Sequence, residues 1–396
     1  MAKNDARQKA LNELVAWFFA QPWKTKLIVV ALVGVVLAAL YFFAGTPQTP
    51  TPSPPPGDVP IGEPSAELLD RGEYLFCWWN VENFFDDKVD GWGTDPDKEY
   101  DAWFAGNPDL LNLKLDNLVN ALIPLNGGIG PDILACCEVE DSRDKQTTPG
   151  ALLLLRDRLN ARISDPGLRY REVVWRQMAG GRAIIAAILT RLPVDPVQTR
   201  LVYRNERILQ GVIRVRGHDL VVIASHWTSR LTDKTGDRRA AYGDAIYGHV
   251  AGLYARDRDV PVIVAGDFND PPESPSVERH LWATTDLAQV RASGAEPYLF
   301  NLMRQPSLAG KGTILAERGG GLEMFDQVVV SPGMVRPGSR GWTVDVDSVA
   351  IITAGTTYKP RTSTQLRPLR FGSPSTEGNR GTSDHLPVTV KLRLPR

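Results

Sequence analysis

Apolar residues run along this chain in short unbroken blocks divided by turns. Beyond residue 65 the blocks at 74–79, 133–137, 183–189, 211–215, 220–224, 262–265, 328–330 and 388–392 have no polar alternation, which predicts strands covered on both faces. Between them, Leu111, Leu115, Leu118 and Leu122 recur at helical spacing, and residues 151–161 and 238–254 predict two further helices. Residues 212–221 read as a hairpin turning at Gly217. No repeat is present. An α/β fold follows, and two packed mixed β-sheets with helices on the outside fit this alternation better than one doubly wound sheet.

The hydrophobic pattern changes character near the N-terminus. Residues 27–44 form an 18-residue run without a charge, close to the ~20 needed to cross a hydrocarbon core as a helix. Lys3, Arg7, Lys9, Lys24 and Lys26 precede the run, and no Lys or Arg follows it until Arg71. This asymmetry predicts a single-pass transmembrane anchor in the plasma (inner) membrane, with residues 1–26 cytoplasmic and the remainder extracytoplasmic. A cleaved signal peptide is the alternative, but its apolar core is usually only ~7–15 residues. Ahead of the run, Leu11, Leu14, Val15 and Phe18 lie at helical spacing and read as a short interfacial helix or an ordinary solvated lead-in. After it, residues 46–60 are a Pro/Thr-rich polyproline spacer, so the linker is assigned to 45–65 and the folded domain to 66–396.

Composition narrows the classes without choosing a partner. With 43% hydrophobic and 23% charged residues the chain is globular rather than disordered. A net charge of −1 supplies no global basic field, so any attraction for phosphate must be local. Cys77, Cys136 and Cys137 all sit in strand-like apolar blocks and read as buried thiols, with a bridge from Cys77 to one of the adjacent pair as the alternative.

The chemistry lies at the ends of the apolar blocks. Cutting a phosphodiester requires neutralising phosphoryl oxygens, orienting a water in line and protonating the leaving oxygen. Glu138 closes one block and Asp384 opens another, so both suit a hard cation; oxygen ligands without zinc-type Cys/His spacing point to Mg²⁺ or Mn²⁺. Asn80 and Glu82 follow the first block and are candidates to complete the ion's surroundings. In Gly266-Asp267-Phe268-Asn269, Asp267 suits gripping the attacking water and Asn269 suits donating to a developing oxyanion. Asp326 can polarise His385, and His226 is the candidate acid or transition-state donor opposite it, while His218, His249 and His280 read as structural. Each is ordinary alone, since a turn-forming asparagine or a packed histidine explains any one of them.

The segments WNVENFFD, DILACCEVED, ASHWTSR, AGDFND, FDQVVVS and GTSDHLPV resemble, in order and spacing, the endonuclease/exonuclease/phosphatase superfamily, over about residues 73–394. The resemblance implies a four-layer α/β sandwich with its site at one edge of the paired sheets. It implies metal-side roles for Asn80, Glu138 and Asp384, and water- and phosphate-orienting roles for Asp267 and Asn269. For His385 it implies a catalytic role oriented by Asp326, and for His226 that of the second histidine found in the deoxyribonuclease and sphingomyelinase branches. The chain is closer still to bacterial exported members, in which Lys114, Arg182, Arg207, Trp227, Ser229, Arg230 and Arg239 fall at pattern positions. Arg182 and Arg230 are the expected phosphate contacts, although Arg182 departs from the usual Arg-Gly-Ile-Asp context; the other arginines read as surface charges.

The function expected is therefore a membrane-anchored, Mg²⁺-dependent phosphodiesterase acting on nucleic acid. Hydrolysis of a phospholipid or sphingomyelin head group is the alternative, because the tether keeps the site near a bilayer; against it, no exposed apolar hairpin is evident, although Trp92, Trp103 and Phe104 lie in an otherwise irregular stretch. A non-catalytic binding module on the same scaffold is the third reading, and it fits a chain that has lost a metal or histidine position, which this one has not.

Overall fold

The computed structural model describes residues 60–141, 147–177, 181–203, 207–316, 321–361, 365–376, 378 and 380–395. The first sheet is built from β1 (Glu73–Phe84), β2 (Ile133–Glu140), β3 (Glu172–Val174), β4 (Ile184–Thr190), β14 (Thr343–Val344), β15 (Ala350–Ile351) and β18 (Val388–Arg393). Its order is β14-β18-β1-β2-β4-β3, with β15 also on β18. The second runs β5-β6-β7-β8-β13-β10-β9 and comprises β5 (Arg200–Leu201), β6 (Ile208–Val215), β7 (His218–His226), β8 (Val262–Asp267), β9 (Ala283–Thr284), β10 (Leu299–Asn301) and β13 (Asp326–Val330). Two small hairpins, β11 (Ile314–Leu315) with β12 (Leu322–Glu323) and β16 (Thr357–Tyr358) with β17 (Arg367–Pro368), complete the strands among the described residues.

Strand alternation sorts the apolar blocks into three packed layers of contact. Phe76, Trp78, Ile133, Ala135 and Cys137 point inward and meet Val222, Ala224, Ile263, Ala265 and Val328 from the facing sheet. Cys77, Trp79, Leu134 and Cys136 point outward, where helices Pro108–Leu122 and Gly150–Asn160 cover them with Leu115, Leu118, Leu122, Leu152 and Leu155. On the other side, Val221, Ile223, Val262 and Val264 receive Tyr242, Ile246 and Val250 of helix Asp237–Arg256. The molecule is thus a mixed α/β sandwich of two sheets with helices outside, and both faces of the central strands are buried. All three cysteines are buried free thiols. The turn at Arg216-Gly217 joins β6 to β7 with both central residues at positive φ (50° and 78°), the geometry that matches strand twist in a two-residue hairpin.

The expectation of a transmembrane helix is corrected. No helix among the described residues is long and apolar enough to cross a membrane. Helix Asp237–Arg256 has the length, at 20 residues, but its outer face carries Asp237, Arg238 and Asp244. The span expected at 27–44, the lead-in helix before it and the spacer up to residue 59 lie outside the described residues.

Candidate active site

Adjacent strand ends carry the centre. His226 ends β7 and lies directly across the ladder from Asp267 at the end of β8, which in turn faces Asp326 at the start of β13. The facing sheet supplies Asn80 from β1 and Glu138 from β2. Both positions are irregular: the β1/β2 register shifts after Asn80, and the β2/β4 register shifts between Cys137 and Val139. Glu138 takes φ 61°, and Glu82, Asn83 and Asn269 take φ 54°, 44° and 52°. Non-glycine residues rarely hold such values, and a bulge at this point re-aims the carboxylate from the sheet plane into the cleft. Gly266 is required for close approach, because a Cβ there would lie 2.5 Å from the Ser225 carbonyl oxygen.

Glu138, His226 and Asp267 each offer a ligand atom, all within 4.8 Å of one another. Asn80 Nδ2 donates to Glu138 Oε1 at 3.0 Å and to Asp267 Oδ2 at 3.1 Å, while its Oδ1 accepts the Glu82 N–H at 3.0 Å. That arrangement makes Asn80 a brace for two carboxylates. Glu138 Oε2 accepts the Asn83 N–H at 3.0 Å, and Asp267 Oδ1 accepts that of Asn269 at 2.9 Å. The carboxylate oxygens converging on one small space fit a hard divalent cation in their chemistry and spacing, with the His226 ring alongside.

The histidines are held in opposite states. His385 Nδ1 is 2.7 Å from Asp326 Oδ2, and Asp326 Oδ1 accepts from the buried Trp78 indole at 2.8 Å. Burial favours a neutral ring, but Asp326 and then Asp267 overcome it and raise the His385 pKa well above the ordinary histidine value. His226 is the reverse case. Burial first, then the Arg207, Arg182 and His385 charges, hold it well below that value. Arg207 Nη1 lies 2.9 Å from His226 Nδ1, and since a guanidinium can only donate, Nδ1 is the acceptor and Nε2 carries the hydrogen. That Nε2 lies 3.6 Å from Glu138 Oε1 and 3.8 Å from Asp267 Oδ2. Asp267, buried at the centre, has its pKa pushed up to about 7, by burial foremost and against the pull of His385.

The remaining expected residues frame this group. The Asn269 side chain donates to the Trp227 carbonyl at 3.1 Å, and Trp227 stacks on Phe268 with centroids 4.1 Å apart. Arg230 lies over the Phe325 ring, donates to the Asn269 carbonyl at 3.0 Å and pairs with Asp270. Arg182 reaches Asp97 at 2.6 Å and Asn83 at 3.1 Å. Asp384 stands to one side, its carboxyl pushed up to about 7 by burial and by Glu82. Glu82 is turned away from the carboxylate group. Its carboxylate accepts from the Phe371 and Gly372 N–H groups at 2.6 and 3.1 Å and from Arg370 at 2.8 Å, which ties down the loop leading to Asp384 rather than completing an ion site.

Reading the sequence placed Lys114, Arg207 and Arg239 at pattern positions without a role, took the two arginines as surface charges, and missed Arg370. Lys114 is fully buried, donates to the Glu82 and Thr382 carbonyls at 3.2 and 2.6 Å, and so ties β1 to the segment carrying Asp384 and His385. Arg239 is buried against Asp233 and Asp270. Helical spacing gave a usable signal for Lys114, which falls three residues after Leu111 on the inward stripe; Arg370 follows an irregular segment and had none.

The model of the endonuclease/exonuclease/phosphatase family matches residues 76–394. The chain belongs to that family, and it is a metal-dependent phosphoric ester hydrolase. Among solved structures it is similar in fold to an endonuclease/exonuclease/phosphatase family protein of Bacteroides thetaiotaomicron, at 14% identity and TM-score 0.47, covering 82% of this chain and 95% of that one. A mannosyl-6-phosphatase of Bacteroides thetaiotaomicron VPI-5482 gives 15% identity and TM-score 0.47, covering 81% and 99%. TDP2 of D. rerio, solved with a single-strand DNA product, gives 14% identity and TM-score 0.44, covering 81% and 99%. No curated protein matches the chain in sequence.

Proposed function

We propose that this hydrolase is an endonuclease, cutting the phosphodiester bonds of nucleic acid with Mg²⁺ or Mn²⁺ held by Glu138, beside Asp267 and His226. The observation that carries the reading is a local ring of guanidinium groups on a chain of net charge −1: Arg182, Arg230 and Arg370 have side chains 37%, 36% and 56% exposed beside the carboxylate centre. These half-exposed groups supply a local attraction for a polyanion that the overall composition lacks.

The roles follow from proton positions. A divalent ion, when bound, withdraws charge from the phosphoryl oxygens. Asp267, whose Oδ2 lies between the two rings, orients the attacking water and accepts its proton. His385, charged by its contact with Asp326, presents Nε2–H to the developing phosphoryl charge and is the proton source for the leaving oxygen. His226, kept neutral by burial and then by Arg207, donates from Nε2 without changing its charge. Asn80 holds Glu138 and Asp267 together against their mutual repulsion.

The lipid reading has less support. Phe104 is fully buried, and Trp92 and Trp103 are half-buried and packed against the core, Trp103 on Phe104, Phe371 and the Arg380 guanidinium. The test is incubation with plasmid DNA, RNA, sphingomyelin vesicles and inositol phosphates in Mg²⁺, with Glu138→Ala alongside. Nicking of plasmid or RNA that Glu138→Ala abolishes is expected; turnover of the lipid or inositol phosphate alone would overturn the assignment.

A further inference from the structure

Asp326 and His385 act as a pair, yet they arrive from different sheets. Asp326 begins β13 of the second sheet, and His385 lies three residues before β18 of the first. Among the described residues no ladder joins the two sheets, so the 2.7 Å contact between the side chains needs another support. Thr313, fully buried just ahead of the β11–β12 hairpin, touches both backbones. Its Oγ1 accepts the Asp326 N–H at 3.2 Å, and its carbonyl accepts the Leu386 N–H at 2.8 Å. Its own N–H donates to the Glu323 carbonyl at 2.8 Å, and the next residue, Ile314, forms a β-bridge with His385. Gly312 permits this approach, because a Cβ there would lie 2.6 Å from the Leu322 carbonyl carbon. The Asp326 N–H depends on Thr313 for its partner. The Phe268 N–H donates to the Phe325 carbonyl at 2.9 Å, so Asp326 opposite Asp267 is a non-hydrogen-bonded pair, and its N–H points away from β8. On that outer edge β10 ends at Asn301, opposite Val329, and the chain turns into helix Arg304–Leu308 before it reaches Asp326. Thr313 Oγ1 stands where the next strand would have placed a carbonyl.

We propose that Thr313 is a positioning residue for hydrolysis, which sets the Asp326–His385 contact by holding the backbones of both segments at once. This rests on the reading above, in which His385, charged by Asp326, serves the leaving oxygen. A buried N–H without an acceptor bears its full desolvation cost, so the threonine oxygen fixes where β13 begins and therefore where the Asp326 carboxylate sits. The carbonyl of the same residue fixes the histidine segment at Leu386. Thr313 acts through Asp326 and takes no proton itself.

The test is steady-state hydrolysis of bis-p-nitrophenyl phosphate by the full chain in Mg²⁺. Thr313→Val keeps the shape and removes the oxygen, and it is expected to lower kcat about tenfold with KM changed by less than about twofold. Thr313→Ser returns the oxygen and is expected to restore kcat, while its melting temperature stays below wild type for want of the methyl group. On an Asp326→Asn background Thr313→Val is expected to add less than about twofold, because the two residues act as one unit. A residue serving only the fold would lower the melting temperature, leave kcat of the folded chain alone and gain nothing from serine. A crystal structure of Thr313→Val, which needs no substrate, is expected to show Asp326 Oδ2 and His385 Nδ1 farther apart than about 3.2 Å, the limit of an ordinary N–H···O bond. If the valine variant does not fold, Thr313→Ala against Thr313→Ser decides by the same kcat comparison. Wild-type kcat in the valine or alanine variant, a separation unchanged from 2.7 Å, or no rescue by serine overturns the assignment. A wild-type rate in Asp326→Asn alone overturns instead the mechanism beneath it.

Discussion

Asp326 has no exposed surface, yet it carries the charge that sets the state of His385. Its two oxygens divide the work, one on Trp78 and one on His385. Replacing Asp326 by Asn keeps the shape and removes the charge, so the His385 pKa should fall towards the ordinary histidine value, because burial is then opposed only by Asp267 and Asp384. Turnover should fall by roughly 10²–10⁴-fold, the usual worth of a positioned proton donor. Steady-state rates and an NMR titration of His385 check both, and a wild-type rate in Asp326→Asn would remove the pair from the mechanism. At this scale much of the site was legible. Glu138, His226, Asp267 and His385 were readable because each closes or opens an apolar block, and the end of a strand is where a polar side chain can face a cleft while its backbone stays paired. Glu82 was not, since its direction depends on φ 54° and on a loop almost 290 residues further along the chain, and neither leaves a mark in local pattern.

At the scale of the element, β2 and β8 show how strand irregularity and close packing aim the chemistry. Gly266 passes against the Ser225 carbonyl and the Phe268 ring, so Gly266→Ala should destabilise the fold by about 1–3 kcal/mol as a buried overpacking change, read as a lower melting temperature. A melting temperature equal to wild type would mean that β7 and β8 do not approach as closely as described. Glu140 ends β2 outside the catalytic group, accepts the Asp86 N–H at 2.8 Å, and has its pKa pushed up to about 9 by burial and then by Asp86. The folded state therefore binds this proton more tightly than the unfolded chain, whose value is near 4.5. Its stabilising contribution is fully present below that value and is lost as pH rises towards about 9. Glu140→Gln should flatten the alkaline decline of the melting temperature, whereas an unchanged decline would refute the shift. The long strands and the leucine-rich helix were readable from apolar runs, because burial on both faces or on one stripe is what writes those patterns. The two-residue strands β5, β9, β11, β12, β14, β15, β16 and β17 were not, since pairs so short are fixed by tertiary contact rather than by period.

At the scale of the whole molecule, two sheets are pressed together so that groups from opposite layers meet at one rim. Asn80 and Glu138 come from one sheet and His226, Asp267 and Asp326 from the other, so the site exists only when the inner core is packed. The sandwich was legible because its central strands are apolar on both faces. The transmembrane helix was an inference from one uncharged run, and no helix among the described residues fills that role. The central claim is that the two sheets together hold one divalent ion. Its most direct measurement is anomalous diffraction from a crystal soaked in Mn²⁺. The account predicts a peak bonded to Glu138, beside Asp267 and His226, and absent in Glu138→Ala; a peak remote from all three residues, or one that persists in Glu138→Ala, would contradict it.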